Sequence, residues 1–286
     1  MNRRSLLIAA AAAGLRAQPL KPEREVWFSC PMDPGIRSKG PGKCSKCGMA
    51  LVAAIAEPVA YPLDIEIRPR HVPAAQPLTV TFRVRDPKTG RPVTRFEVVH
   101  ERLFHQFIVS QSMRFFAHEH PEPQRDGSFR LGVTLPEPGI YRLVSDFYPA
   151  GGTPQFLSRT IVTAGYNEPL RPAALEADLQ FKRGGNVAVE MRLEPAQPLA
   201  GNVTRLFFRL APAEGLELYL GAWAHLMAIS NDLIDAVHAH PEIADGGPVM
   251  QFNLIFPRQT SYRVWLQAQR AGIVNTVSFT IPVGGL

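Results

Sequence analysis

Hydrophobic and polar residues alternate along most of the chain after the first sixty positions. Val80, Phe82 and Val84 are separated by single polar residues, and the run 128–135 has the same period. A period of two residues is typical of strands with one buried face. Proline and glycine punctuate these runs, as at 136–139, and the sequence has 27 prolines and 22 glycines. The pattern predicts a mainly β protein, with no long amphipathic helix beyond the N-terminal segment.

The second half of the chain repeats the strand pattern of the first half. Short strands at this spacing favour two β-sandwiches, immunoglobulin-like or cupredoxin-like, and the sequence does not separate those topologies. We expect the first sandwich at residues 60–164 and the second at 172–286, both of common domain size. Gly165, Pro169 and Pro172 interrupt any strand at the boundary.

Six of the eight histidines recur at matching positions of this repeat. In each half a lone histidine is followed 13 residues later by His-x-His-Pro-Glu. Residues two apart on a strand face the same side, and a neighbouring strand brings the lone histidine alongside. We therefore predict one three-imidazole site per half, suited to Cu(II), Zn or Ni. The two sets are His105, His118 and His120, and His225, His238 and His240.

Two of the differences between the halves concern candidate metal chemistry near these histidines. His100 precedes His105 by five residues where the second half has Leu220, so it is a candidate fourth ligand of the first half alone. Asp146 aligns with Gln267 and is a candidate to orient a histidine, although a solvated Asp at a strand end fits equally. Alternatively, His-x-His-Pro is a structural turn whose imidazoles form hydrogen bonds to the backbone of the loop.

All three cysteines lie within 18 residues near the N-terminus. Cys44 and Cys47 form a Cys-x-x-Cys knuckle in which Gly48 permits a sharp turn, and Cys30 supplies a third sulfur. The intervening segment is too small and polar to build a core, so a metal is the expected staple. These thiolates predict a copper, silver or zinc site, and the alternative is a Cys44–Cys47 disulfide with one remaining thiol. Further candidate ligands are the thioethers of Met32 and Met49 and the carboxylate of Asp33.

Residues 25–54 resemble the heavy-metal-binding domain found at the N-termini of copper-exporting ATPases and of some metal-efflux adaptor proteins. The resemblance rests on Cys-Pro-Met at 30–32 and on Cys-x-x-Cys-Gly-Met at 44–49. The family usually has a histidine where this chain has Asp33. An oxygen ligand there makes the site harder and less selective for copper, or the site is left three-coordinate.

The remainder, residues 60–286, is similar to a loosely defined set of exported β-sandwich proteins that often follow such a domain. The two resemblances together imply a role in metal tolerance or efflux. They also imply metal ions and a metal-efflux or metallochaperone protein as partners.

The sequence is compatible with three functions. The first is binding and transfer of copper, or of zinc or silver, without substrate chemistry. The second is a metal-dependent enzyme, because a three-histidine centre leaves an open coordination position. The third is a protein- or glycan-binding module with a structural zinc. The sequence contains no His-Glu-x-x-His and no Gly-x-Ser-x-Gly motif, which excludes those enzyme signatures.

The N-terminal residues 1–17 have the features of a signal peptide. Arg3 and Arg4 precede an apolar run that is too short to span a bilayer, so we expect export by the Sec or the twin-arginine route to the periplasm or medium. We expect no membrane span after its removal. The formal net charge of +6 falls to +3 without the three arginines of this segment, and no basic stripe suggests a nucleic-acid partner.

Overall fold

The computed structural model describes most of the chain as strands, turns and loops. Its described residues are 27–29, 37–45, 48, 50–54 and 59–285. Strands are the only regular elements of five or more residues in them, so none of these residues belongs to a helix long enough to cross a membrane. The chain divides into two compact units, Met1–Pro58 and Val59–Leu286.

The smaller unit contains a three-stranded antiparallel sheet with the order β2-β1-β3. Its core is minimal: Cys44 and Leu51 are buried, and Phe28 packs against them. The strands are β1 (Trp27–Ser29), β2 (Arg37–Ser38) and β3 (Val52–Ala54).

The first sandwich of the larger unit has two four-stranded antiparallel sheets, β4-β5-β9-β8 and β11-β10-β6-β7. Val80, Phe82 and Val84 of β5 point into its core, as their alternation predicts. The strands are β4 (Leu63–Arg68), β5 (Pro77–Val84), β6 (Phe104–Ser110), β7 (Phe116–Glu119), β8 (Glu122–Pro123), β9 (Phe129–Thr134), β10 (Ile140–Phe147) and β11 (Gln155–Val162).

The second sandwich repeats this order. One sheet runs β12-β13-β14-β18, and in the other β19 pairs with β15, β16 and β20 while β16 also pairs with β17. The strands are β12 (Lys182–Arg183), β13 (Ala188–Glu194), β14 (Val203–Ala211), β15 (Leu216–Glu217), β16 (His225–Ser230), β17 (Ala236–Ala239), β18 (Val249–Ile255), β19 (Ser261–Arg270) and β20 (Ile273–Pro282).

Both sandwiches are immunoglobulin-like in strand order and in one side-chain detail. The sheet β4-β5-β9-β8 corresponds to the order A-B-E-D, and its partner sheet contains C, F and G. Tyr141 donates its hydroxyl proton to the carbonyl of Glu137 at 2.7 Å, which is the tyrosine corner of this class. Tyr262 lies at the same place and donates to Asp235 Oδ2 at 2.9 Å. The predicted fold class of two β-sandwiches is therefore confirmed, and the order favours the immunoglobulin-like alternative.

The two sandwiches pack against each other through the sheets that contain β6 and β16. Every residue of these strands is buried, because each strand has one face in its own core and one in the interface. Phe116 and Trp265 stack across the interface with ring centroids 4.7 Å apart. We call the buried apolar residues between the sandwiches the interface core; they are Phe107, Val109, Met113, Ile140, Val144, Met227, Ile229, Leu233 and Trp265.

Candidate metal centre

Seven of the eight histidines converge beside the interface core. Rings from different sandwiches lie close together: the centroids of His118 and His225 are 5.8 Å apart, and those of His100 and His240 only 3.7 Å. The eighth histidine, His71, is exposed. We call the seven the histidine cluster; its members are His100, His105, His118, His120, His225, His238 and His240.

Strand alternation and strand pairing place these rings. His105 lies on the interface face of β6, two residues before Phe107 of the interface core. Strand β7 pairs with β6 and sets His118 opposite Phe107, whose ring stacks on the imidazole at 4.2 Å. In the second sandwich β17 sets His238 opposite Met227 in the same way. The repeated register therefore presents both histidine sets to one interface.

The hydrogen bonds of His105 and His118 leave two lone pairs facing each other. His105 donates its Nε2 proton to the carbonyl of Val99 at 2.9 Å, so its Nδ1 has a lone pair. His118 donates its Nδ1 proton to Gln267 Oε1 at 2.7 Å, so its Nε2 has one as well. These two nitrogens are 3.1 Å apart. Since neutral rings in these tautomers have no proton to share there, a cation between them would relieve the repulsion.

The second sandwich has a similar close pair, but it uses the second histidine of its His-x-His and not the first. His225 donates from Nε2 to the carbonyl of Tyr219 at 2.8 Å, and its Nδ1 lies 3.0 Å from His240 Nε2. His238 donates from Nδ1 to Asp146 Oδ2 at 2.8 Å, and its Nε2 is buried without a hydrogen-bond partner, as is Nε2 of His120. Metal-ligating histidines characteristically donate their other ring proton to a carbonyl or carboxylate. The structural-turn alternative foresaw bonds from the His-x-His imidazoles to loop backbone, but His118 and His238 donate to side chains, and the carbonyl bonds come from the lone histidines His105 and His225.

Each sandwich orients a histidine of the other one. Asp146 pairs with His105 along the sheet, yet its carboxylate binds His238. Gln267 pairs with His225, yet its amide binds His118. The sequence suggested two roles for Asp146, and the structure shows the first: its carboxylate orients a histidine. That histidine belongs to the other sandwich. The role of Gln267 was missed, although its alignment with Asp146 in the repeat pointed to it.

Ring nitrogens group into two candidate three-ligand sets. One nitrogen each from His105, His118 and His120 lie within 4.8 Å of one another, and so do nitrogens from His100, His225 and His240. We call these the first and second groups. His238 adjoins the second group, with its ring centroid 4.6 Å from that of His240.

His100 lies in the second group, whereas its sequence position suggested the first. Val99 and Arg102 close a two-residue hairpin turn by reciprocal backbone hydrogen bonds. His100 and Glu101 occupy its centre with φ of 48° and 63°, the left-handed conformation that such a turn requires. The turn directs the His100 ring across the interface onto His240, so proximity in sequence to His105 did not decide its neighbours.

Burial favours the neutral, ligand-competent form of five histidines of the cluster, His105, His118, His120, His225 and His240. Desolvation lowers the pKa of His120 to about 4, of His225 to about 3 and of His240 to about 2, and neighbouring histidines contribute to each shift. Burial also lowers the pKa of His105 and of His118. Metal ions bind neutral imidazole, so a low pKa removes competition from protons. His120 and His240 are only half-buried, which leaves the cluster accessible from solvent.

The cysteine site is described in part. Cys44 is buried, and its carbonyl accepts a hydrogen bond from the Gly48 amide at 2.9 Å. Gly48 has φ of 76°, so the sharp turn after Cys44 uses the freedom of glycine. The other candidate ligands of this site, and the proposed signal segment 1–17, lie outside the described residues; these ligands are Cys30, Met32, Asp33, Cys47 and Met49.

Two family models match the chain. A domain of unknown function (DUF8832) matches twice, at residues 61–164 and 182–285, and the chain belongs to this family. The heavy metal binding domain matches residues 28–54. The chain therefore combines a heavy-metal-binding domain with two copies of one sandwich, as the sequence resemblance and the repeat predicted.

Solved structures similar to this chain include a bacterial adhesin and a fibronectin type III segment. The Escherichia coli adhesin FdeC is 14% identical, with 84% of this chain and 71% of that chain covered and a TM-score of 0.26. A segment of two fibronectin type III domains from chicken tenascin is 12% identical, with 78% and 100% covered and a TM-score of 0.23. Likeness at this level carries no functional argument. A search of curated proteins finds no match.

Proposed function

We propose that the protein is an exported carrier of heavy metal, chiefly copper, that binds and hands over ions in metal tolerance. The heavy-metal-binding domain supports the general class. The observation that carries the proposal for the sandwiches is the pair of facing lone pairs on His105 and His118, 3.1 Å apart in a buried cluster of seven imidazoles. A cation bound between these two nitrogens would accept both lone pairs.

The donor atoms favour different oxidation states at the two kinds of site. Thiolates, with thioethers beside them, prefer Cu(I) or Ag(I), and imidazoles suit Cu(II) and Zn. Among divalent first-row metals Cu(II) binds nitrogen ligands most tightly, which makes copper the first choice and zinc the alternative.

Transfer requires ligands that a partner can replace one at a time. The half-buried rings of His120 and His240 are the exchangeable ligands on this account, while buried His105 and His225 hold their positions through carbonyl bonds. The partner is a metal-efflux or metallochaperone protein, and export depends on residues 1–17. No bond is made or broken in an organic substrate.

Elemental analysis of the purified protein tests this function. Cys44→Ser should remove the thiol-bound metal and leave the imidazole-bound metal, and His118→Ala should do the reverse for the first group. His71→Ala is the matched control, since this exposed histidine lies outside the cluster and should change neither content. Identical metal contents in all four proteins would refute the proposal, and zinc bound by thiols alone would favour a protein- or glycan-binding module.

A metal-dependent enzyme is the second candidate, because each three-nitrogen group leaves coordination positions open and half-buried rings admit small molecules. Oxidation of Cu(I) by dioxygen is the reaction that this donor set would best support. Dioxygen consumption by the copper-loaded protein above the rate of copper alone, abolished in His118→Ala, would establish it.

A further inference from the structure

We propose that the histidine cluster is a two-ion centre shared between the sandwiches, whose two sites differ because a carboxylate supports one and an amide the other. This inference rests on the metal-binding function proposed above. It concerns how many ions the interface holds and which of them is bound more tightly.

Two adjacent ions follow from the arrangement of ring nitrogens. The first and second groups share no residue, and each brings three nitrogens within 4.8 Å of one another. They also lie side by side, since ring centroids are 5.8 Å apart for His118 and His225 and 6.5 Å apart for His105 and His225. The repeat relates two members of each group, His105 to His225 and His120 to His240, and His100 takes the third place in the second group.

The sites span the interface through their supporting hydrogen bonds. His118 of the first group is held by Gln267 of the second sandwich, whereas His238, beside the second group, is held by Asp146 of the first sandwich. Because each supporting residue comes from the opposite sandwich, neither site is complete in an isolated sandwich.

The supporting residues give the two sites different charge. Gln267 is neutral. Its amide nitrogen donates to Thr276 Oγ1 at 3.0 Å, and its amide oxygen is an uncharged acceptor for His118. Asp146 offers His238 a carboxylate, which makes an imidazole more basic and a better ligand for a divalent ion. The side chain of His238 is only 6% exposed, so this interaction is weakly screened.

Other charged groups near the cluster do not distinguish the two groups. Arg102 acts on His120 of the first group and also on Tyr219, whose ring centroid lies 5.5 Å from that of His225 in the second group. Asp146 also acts on His105, its neighbour along the sheet, but its hydrogen bond goes to His238. Glu119 is exposed and acts on Tyr219 at the edge of the cluster. The second group therefore is the tighter site for a divalent cation.

Chelator-competition titration of the full chain with Zn(II) alone tests this inference. Zinc has no redox chemistry, so the oxidation state of the ion stays constant throughout the titration. The wild type should bind two imidazole-held equivalents of unequal affinity; His240→Ala should remove the tighter one and His120→Ala the weaker one. Asp146→Asn keeps an acceptor for His238 and should weaken the tighter equivalent by about 10- to 100-fold. Gln267→Glu should strengthen the weaker equivalent.

The outcomes separate this inference from the function on which it rests. A single imidazole-held equivalent, or two equivalents that Asp146→Asn leaves unchanged or weakens equally, would overturn the two-site inference while metal binding stands. Zinc bound by the thiols alone would remove both. Unfolding curves of the variants, compared with wild type, exclude loss of folding as the cause, and His71→Ala serves as the neutral control.

Discussion

The two sandwiches carry the same histidines 120 residues apart but surround them differently. His105 and His225 each donate to a carbonyl six residues upstream, so the anchoring of the lone histidine repeats. The surroundings diverge: Gln267 supports the first sandwich's His118, whereas Asp146 supports the second sandwich's His238. A repeat can thus anchor one histidine identically and still supply two electrostatic environments, because the supporting residues come from across the interface.

The hairpin turns that precede His105 and His225 also differ in their central residues. The second sandwich builds its turn from Leu220 and Gly221, with φ of 51° and 72°, and the first from His100 and Glu101. Only Gly adopts this conformation without cost, so the first turn keeps strain at both central positions. His100 and Leu220 share the strained conformation, and they differ in their contacts: the His100 ring stacks on His240, whereas Leu220 is a buried apolar side chain.

The largest predicted effect concerns the interface core. Trp265 is 5% exposed and stacks on Phe116, so Trp265→Ala should lower the free energy of unfolding by about 3–5 kcal/mol. Its counterpart is Val144, and Val144→Ala should cost about 2 kcal/mol, because two methyl-sized groups are lost. Urea unfolding measures both, with exposed Phe181→Ala as the control. A loss below 1 kcal/mol at Trp265 would show that the sandwiches are not packed as described.

The next effect is the acid sensitivity of the metal-free protein. Burial lowers the folded-state pKa of His225 to about 3 and of His240 to about 2, while the unfolded value is near 6.5. The unfolded chain therefore binds more protons below pH 6.5, so stability is full above that pH and falls towards pH 3. Each group changes the free energy of unfolding by up to about 1.4 kcal/mol per pH unit, so the pair changes it by roughly 3 kcal/mol per pH unit.

Urea unfolding in the presence of a chelator, between pH 7 and pH 5, measures this slope. His240→Ala should make it shallower, and His71→Ala should leave it unchanged. A flat profile in the wild type would contradict the burial of the cluster.

The tyrosine corners give a smaller and unequal effect. Tyr262 donates to the carboxylate of Asp235, and Tyr141 donates to the neutral carbonyl of Glu137. Hydrogen bonds to charged groups contribute more, so Tyr262→Phe should cost about 2 kcal/mol and Tyr141→Phe about 1 kcal/mol. Thermal unfolding of the two variants compares them directly; the reverse order would contradict the assigned partners.

The smallest predicted effect separates strain from ligation at the first hairpin turn. Glu101→Gly and His100→Gly should each stabilise the metal-free protein by about 1 kcal/mol, since glycine accepts the positive φ. Only His100→Gly should also weaken metal binding at the second group. Unfolding and zinc titration on the same samples test both effects. Equal loss of metal in the two variants would show that the turn conformation, and not the imidazole, supports the site.

The sequence predicted the strands and the register of the histidines, because alternation and the 13-residue spacing are local features. It did not predict that the sandwiches meet on their histidine faces. The signal was present in β6, where Phe104 to Val109 is apolar on both faces apart from His105 and Gln106, as in a strand buried on both sides.

The local sequence pattern could not predict where the His100 ring lies. Its turn lacks the glycine or asparagine that normally marks a left-handed hairpin, so neither the turn nor its direction could be inferred from His100 and Glu101. Asp146 was singled out by alignment with Gln267, but the identity of its histidine depends on packing between sandwiches, which no single-strand pattern encodes.

Anomalous diffraction at the zinc or copper edge, from crystals of the full metal-loaded chain, tests the central claim most directly. We expect two adjacent metal peaks between the sandwiches. One should lie among His105, His118 and His120, and the other beside His225 and His240. Peaks at the cysteine site alone, with none between the sandwiches, would contradict it.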